Sequence, residues 1–307
     1  MSEGVGRRLP HLLGVRELTA DQVKQLYGLA DRFYDVLQQP TRKAPALAGR
    51  TVALLFFESS TRTRLSFELA AKRLGAEVVS FSAAGSSLDK GESLLDTALN
   101  ILAMGVDLFV VRHKGVGTCH FLARKLPVPV VNAGDGTHEH PTQALLDTYT
   151  LYRHLGSLEG RTLTIIGDLF HSRVALSHLI LAPKVGLRLR LCAPPTLVPP
   201  LWYRLGWPVY HRVAPAVEGA DAILVLRMQR ERQAFPPLAS WEEYARFYQV
   251  RPEHLRPSQL VLHPGPINWG VELHPALQAW PETRILDQVT YGVAIRMAVL
   301  YAILQGL

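Results

Sequence analysis

The stretch that decides the fold is Phe56-Phe-Glu-Ser-Ser-Thr-Arg-Thr-Arg-Leu-Ser-Phe-Glu68. It begins at the end of an apolar run, residues 51–56, that is typical of a buried strand. It leads into apolar residues at helical spacing, which stop at Gly75. The turn between strand and helix gathers backbone N–H groups, hydroxyls and the guanidinium groups of Arg62 and Arg64. This combination predicts a binding site for an anion of the phosphate type.

An ordinary helix cap is the alternative interpretation of this turn. A cap uses one hydroxyl, whereas residues 59–63 supply four, and arginine in a first helical turn opposes the helix dipole. The turn lacks the Gly-x-x-x-x-Gly-Lys pattern of a nucleotide-binding loop. The sequence therefore favours a phosphate group over a whole nucleotide.

Composition places the chain among globular proteins. It has 307 residues, 48% hydrophobic and 19% charged, a size that suits two domains. No apolar run reaches the roughly 18 residues needed to span a bilayer, and the start of the chain lacks a signal-peptide core. We therefore expect a cytoplasmic protein with no membrane partner, in which Cys119 and Cys192 are reduced, buried thiols.

The net charge of +7 is dispersed along the chain rather than collected in runs. This pattern favours small anionic substrates over nucleic acid, because nucleic-acid binding usually shows a basic stripe with interleaved aromatic residues. An RNA-binding protein remains an alternative, and it would show salt-dependent affinity for RNA.

Strands and helices alternate along the chain, which predicts parallel sheets covered by helices. The fold class expected is α/β, with two doubly wound parallel-sheet domains, an active-site cleft between them and a C-terminal helix that packs on the first domain. The first domain would comprise residues 1–141 and 289–307, and the second residues 142–288. Residues 1–16 are expected to be a tail and lead-in. The predicted strands lie at residues 51–56, 77–81, 107–112, 128–132, 162–166, 186–192, 222–226 and 260–262.

Polar groups follow the predicted strands repeatedly, where ligands bind in open α/β sheets. These groups are Arg112-His113, residues 132–143, Gly167-Asp168 with Arg173, Arg227-Met-Gln229, and His263-Pro-Gly-Pro266. Their recurrence predicts one shared cleft.

His138-Glu139-His140 has the residue types of a metal site, but neighbouring residues in a turn rarely surround one ion, and the His-Glu-x-x-His pattern is missing. We expect no metal there. Gly-x-Ser-x-Gly and Gly-x-Gly-x-x-Gly are also missing, so we expect neither a serine nucleophile nor a dinucleotide, and no cofactor. What remains is group transfer between two bound substrates by orientation and electrostatics.

Ser60-Thr-Arg-Thr-Arg64 together with His140-Pro-Thr-Gln143 resembles the transcarbamoylase family, and residues 292–298 extend the likeness to the final helix. The resemblance implies transfer of a carbamoyl group from carbamoyl phosphate to an amine. It also implies a homotrimer with active sites shared between subunits. A regulatory chain, or other enzymes of pyrimidine synthesis, are possible further partners.

The second half resembles the members that use L-aspartate, through Arg227-Met-Gln229, Arg230-Glu-Arg232 and His263-Pro-Gly-Pro266. The product would be N-carbamoyl-L-aspartate, for de novo pyrimidine biosynthesis. The His-Cys-Leu-Pro and Asp-x-x-x-Ser-Met-Gly motifs of ornithine members are missing, and two arginines suit two carboxylates. Transfer to ornithine or an acylated ornithine, and a non-catalytic scaffold, are the alternatives.

The resemblance also assigns individual residues. Those implied in catalysis are Arg62, Thr63, Lys90, Arg112 and His140. Those implied in carbamoyl phosphate binding are Ser60, Thr61, Arg62, Thr63, Ser86, Arg112, His140, Gln143, Pro264, Gly265 and Pro266. Those implied in aspartate binding are Lys90, Arg173, Arg227 and Gln229. Glu58 and Arg232 would act in domain closure. Trp269 departs from the arginine that similar bacterial chains usually carry.

Overall fold

The computed structural model describes residues 9–82, 93–229 and 240–307. The chain divides into two compact units: unit 1 is Met1–Leu146 with Val289–Leu307, and unit 2 is Asp147–Gln288. The domain ranges predicted from the sequence, and the binding of one substrate by each domain, stay predictions. Within the described ranges, no helix is both long and apolar enough to cross a membrane.

Unit 1 contains a four-stranded parallel sheet in the order β2-β1-β3-β4. The strands are β1 (Thr51–Phe56), β2 (Glu77–Ser82), β3 (Leu108–His113) and β4 (Val130–Asp135). β1 and β3 are almost wholly buried and apolar, as expected for strands covered on both faces.

The first helix of unit 1 precedes β1, and the next three each follow a strand. They are α1 (Ala20–Gln38), α2 (Thr61–Arg73), α3 (Leu94–Leu102) and α4 (Thr118–Lys125). The capping box at Thr19 is present, because its side chain accepts from the Gln22 amide and the Gln22 side chain accepts from the Thr19 amide. Two further helices, α5 (Pro141–Leu155) and α9 (Ile285–Leu304), run through the points where the units divide.

Residues 1–16 were expected to be a tail and lead-in, but their described part, from residue 9, contributes to the core. Leu9, Leu12 and Val15 are buried. The Leu12 amide donates to the Val130 carbonyl at 3.0 Å, and the Asn132 amide donates to the Leu12 carbonyl at 2.8 Å. The segment thus pairs with the outer side of β4, because its apolar residues gain burial there.

Unit 2 contains a five-stranded parallel sheet in the order β7-β6-β5-β8-β9. The strands are β5 (Thr162–Ile166), β6 (Arg188–Cys192), β7 (Val209–Tyr210), β8 (Ala222–Val225) and β9 (Leu260–Leu262). Its further helices are α6 (Arg173–Leu181), α7 (Val213–Val217) and α8 (Trp241–Tyr248).

The fold class predicted from the sequence is confirmed, with three local differences. β4 reaches Asp135 rather than residue 132. The proline-rich loop contains two 3-10 helices, at Pro195–Leu197 and Pro200–Arg204. The elements β7, α7 and α8 were not predicted. Cys119 and Cys192 are buried thiols without a disulfide, as expected, and burial raises the pKa of Cys192 to about 12.

A buried arginine joins α9 to α2 within unit 1. Arg296 is 4% exposed, and its Nη1 donates to Ser66 Oγ at 2.9 Å and to the Gly292 carbonyl at 3.1 Å. Its guanidinium carbon lies 5.1 Å from the centre of the Phe67 ring. Hydrogen bonds and a cation–π contact therefore fix the helix that carries the predicted anion site.

We predict that Arg296→Met lowers the free energy of unfolding by about 1–3 kcal/mol, because Ser66 and Phe67 lose a charged partner in a dry environment. Denaturant unfolding followed by circular dichroism measures the loss. Arg32→Met, at an exposed position of α1, is the matched control and should change stability by less than about 0.5 kcal/mol. Equal losses in the two variants would contradict the contact described for Arg296.

Candidate functional site

The carboxyl edge of the unit 1 sheet carries the predicted anion site. β1 and β3 are parallel neighbours, and Phe56 at the end of β1 lies level with Arg112 on β3. The Phe57 amide continues the ladder by donating to the Arg112 carbonyl at 2.9 Å. This register brings the segment that leads into α2 to the same level as Arg112.

The first turn of α2 has the expected features of an anion site. Ser60 is the N-cap residue, yet within the described chain its side chain makes no capping hydrogen bond. The turn contains no acidic residue. Thr61 and Arg62 are exposed, whereas Thr63 is buried. The backbone N–H groups and the positive end of the helix dipole are thus presented together with hydroxyl and guanidinium donors.

Arg112 is held in place by the carboxylate of Glu58, which lies between β1 and α2. Its Nη2 lies 2.8 Å from Glu58 Oε1, and its Nη1 donates to the Ala133 carbonyl at 3.3 Å. The Arg112 side chain is 11% exposed. Such a half-buried, charge-assisted pair orients a guanidinium group more firmly than an exposed pair would.

The β4–α5 loop is organised by the buried carboxylate of Asp135. That carboxylate accepts from Asn132 Nδ2 at 2.8 Å and from the amides of Gly117 and Glu139 at 2.9 and 3.2 Å. Burial alone would raise the pKa of Asp135, but hydrogen bonds from His138, Asn132 and Gly117 outweigh it and hold the pKa below its usual value.

This loop ends at the predicted residues His140 and Gln143. His140 is 5% exposed, and its carbonyl accepts from the Gln143 and Ala144 amides as α5 begins at Pro141. Proline suits that position because the first amides of a helix have no partner within the helix. His140 and Gln143 therefore lie at a helix start, at the carboxyl side of β4.

In unit 2, three predicted groups follow neighbouring strands. Arg173 begins α6 after β5, Arg227 follows β8, and residues 263–266 follow β9. These strands are adjacent in the order β5-β8-β9, so their carboxyl ends share one edge. Gly167, with φ 129°, allows the close approach of β5 to β8, since a Cβ there would lie 2.9 Å from the Leu226 carbonyl oxygen.

Asp168 connects two of these groups. It is fully buried, and it accepts from His171 Nδ1 at 2.9 Å and from the Gln229 amide at 3.3 Å. The segment that carries Arg227 and Gln229 is therefore fixed to the β5–α6 turn, which leads to Arg173.

Glu272 is a residue whose importance the sequence did not indicate. It is fully buried, and it accepts from the Met228 amide at 3.0 Å, the Asn268 amide at 2.7 Å and Asn268 Nδ2 at 2.7 Å. Burial raises the pKa of its carboxyl despite these bonds. Glu272 joins the Arg227 segment to the turn after residue 266. Trp269 lies in that turn and is partly buried.

The sequence signal for Glu272 was weak. A single acid flanked by Val271 and Leu273 close to the last strand suggests burial, but its two partners lie 4 and 44 residues away. Local patterns carry no information about the distant contact with Met228.

Three predicted site residues, Ser86, Lys90 and Arg232, lie outside the described residues. The others fall at the carboxyl edges of the two sheets, each within its own unit. Their individual assignments, including the domain-closing one of Glu58, stay predictions.

Comparison with known proteins points the same way as the geometry. Residues 10–153 match the family model "Aspartate/ornithine carbamoyltransferase, carbamoyl-P binding domain", and residues 159–303 match "Aspartate/ornithine carbamoyltransferase, Asp/Orn binding domain". The chain is 47% identical to the aspartate carbamoyltransferase catalytic subunit of Syntrophotalea carbinolica over 299 residues, 96% of each chain.

Solved structures agree over almost the whole chain. Aspartate transcarbamoylase from Trypanosoma cruzi, in complex with carbamoyl aspartate and phosphate, has a TM-score of 0.86 and 30% identity, covering 98% of each chain. Ornithine carbamoyltransferase from Thermus thermophilus has a TM-score of 0.83 and 29% identity, covering 97% of this chain and 99% of that one. The fold alone therefore does not separate the two activities.

We predict that Glu272→Gln lowers the free energy of unfolding by about 1–3 kcal/mol, because an amide cannot accept from all three donors and leaves a buried N–H without a partner. Denaturant titration measures the loss. Glu253→Gln, whose side chain is 65% exposed, is the matched control and should be nearly neutral. An unchanged free energy of unfolding in Glu272→Gln would show that the Glu272 carboxylate does not hold the Arg227 segment.

Proposed function

The chain belongs to the aspartate/ornithine carbamoyltransferase family, and we propose that it transfers the carbamoyl group of carbamoyl phosphate to the α-amine of L-aspartate. The products are N-carbamoyl-L-aspartate and phosphate. The observation that carries the choice of acceptor is the position of Arg173 and Arg227 after adjacent strands of one sheet. Two guanidinium groups match the two carboxylates of aspartate, whereas the side chain of ornithine would require an acid.

Carbamoyl phosphate is assigned to unit 1. Its phosphate accepts from the first turn of α2, where Ser60, Thr61, Arg62 and Thr63 supply donors, and from Arg112. The uncapped start of α2 and the lack of acids in its first turn support this assignment. Gln143 and the backbone of residues 264–266 are proposed to bind the carbamoyl NH2 group.

The chemistry is addition followed by elimination. The deprotonated α-amine attacks the carbonyl carbon, a C–N bond forms, and the carbonyl oxygen takes up negative charge. Thr63, Arg112 and His140 are proposed to donate to that oxygen, where fixed donors lower the barrier most. The C–O bond to phosphate then breaks, and the departing phosphate takes the proton of the amine.

We also propose a homotrimer that shares its active sites and acts in pyrimidine biosynthesis in the cytoplasm. The trimer with shared active sites is supported by the resemblance of residues 86–90 to a family loop that enters the active site of a neighbouring subunit. The relative from Syntrophotalea carbinolica is named a catalytic subunit, which supports partner chains as well.

The first test is product formation. With carbamoyl phosphate and L-aspartate, and without added metal or nucleotide, we expect carbamoyl-aspartate and an equal amount of phosphate, separated by chromatography. L-ornithine in place of aspartate should give no product above background.

Carbamoyl-ornithine as the main product would overturn the assignment of Arg173 and Arg227 while leaving the anion site of unit 1 in place. No product from either amine, from a folded protein, would favour the scaffold alternative.

The second test concerns the oxyanion donors. We predict that Arg112→Ala and His140→Ala each lower turnover by about 100- to 1,000-fold or more, because each removes a donor to the developing negative charge. Initial rates at saturating substrates measure the effect. Arg124→Ala, at an exposed position of α4, is the control and should keep its rate. Near-normal turnover in either variant would remove that residue from the mechanism.

A further inference from the structure

Two histidines and a buried carboxylate meet in unit 1, at a place that the proposed reaction does not use. α4 supplies His120, β4 ends at Asp135, and the loop after β4 supplies His138. One potential ligand atom from each of the three residues lies within 4.8 Å of the others. In the sequence, His138 stands beside Glu139 and His140. In the fold, its partner is His120, 18 positions earlier.

The carboxylate end of this cluster is fixed. The amides of Gly117 and Glu139 and the side chain of Asn132 all donate to Asp135. His138 Nδ1 lies 3.2 Å from Asp135 Oδ2. In the structure this contact is a hydrogen bond, and a bound ion would take the place of the proton between the two atoms.

The second histidine approaches from the more exposed side. The rings of His120 and His138 are 5.7 Å apart and meet edge to face at 62°. The His120 side chain is 32% exposed, and it would have to turn toward Asp135 and His138 to coordinate a shared ion. Its Nε2 lies 3.5 Å from Glu17 Oε1, which places a second carboxylate beside the cluster.

From this arrangement we propose that His120, Asp135 and His138 form a site for a divalent transition metal ion, with solvent in the fourth position. Imidazole nitrogen with carboxylate oxygen selects zinc and its neighbours in the transition series, whereas magnesium and calcium take oxygen ligands. The ion would tie α4 to the β4–α5 loop and so stabilise unit 1. It takes no part in the carbamoyl transfer, and the proposal does not depend on that activity.

The test uses the full chain without a histidine tag, stripped with EDTA and passed into metal-free buffer. Titration calorimetry with ZnCl2 should give one ion per chain, and a saturating amount should raise Tm by several degrees relative to EDTA. MgCl2 at the same concentration should show no binding in the calorimeter and should leave Tm unchanged.

His120→Ala and His138→Ala should each weaken zinc affinity by at least about 10-fold and remove most of the Tm rise. Each variant is compared with itself in EDTA, so any loss of basal stability cancels. His254→Ala, at a histidine of unit 2, is the control and should bind as the parent chain does. His120 is partly exposed, so its variant folds even where a change at His138 is disruptive.

Unchanged zinc binding in His120→Ala would overturn the proposal, and so would an equal response to magnesium. Failure of the parent chain to bind zinc would also overturn the proposal and would leave the cluster as ion pairs and hydrogen bonds only. Carbamoyl transfer is measured separately, so failure of the zinc site and failure of the proposed reaction give different results.

Discussion

Parallel pairing is the constraint on which the rest of the structure depends. Because neighbouring parallel strands run in the same direction, their carboxyl ends must lie at one edge, whatever lies between them in sequence. In unit 1 this constraint sets Arg112 level with the end of β1. In unit 2 it sets Arg173 and Arg227 after adjacent strands. The ladders bring the polar residues to one edge, and contacts such as the Arg112–Glu58 ion pair then orient them.

Buried carboxylates then fix the loops that leave those edges. Asp135 holds the β4–α5 loop, Asp168 holds the β5–α6 turn, and Glu272 holds the segment after β8, each by accepting backbone amides. An amide that would lack a partner in an irregular buried loop is satisfied by a charged acceptor instead. The loops can therefore keep one conformation without regular secondary structure, as a site that works by orientation requires.

The sequence predicted the fold class and the positions of most strands along the chain, because long apolar runs and helical spacing are local signals. It missed β7, which has two residues, and α8, although Ser240 accepts from the Glu243 amide in the manner of a helix cap. For the site, strand ends identified the candidate residues, and family resemblance supplied their individual assignments. The contact of Glu272 with Met228 and the meeting of His120 with His138 depend on long-range pairing, so no local pattern could reveal them.

The pairing of Leu12 with β4 has a consequence for solubility. β4 is the outer strand of its sheet, and an open edge is a template on which a second chain can add a strand. The Leu12 amide and carbonyl occupy the Val130 carbonyl and the Asn132 amide on that side. The short segment before α1 thus protects the β4 edge from pairing with another chain. A chain shortened past residue 12 would expose that edge and aggregate more readily, while keeping every residue of the candidate site.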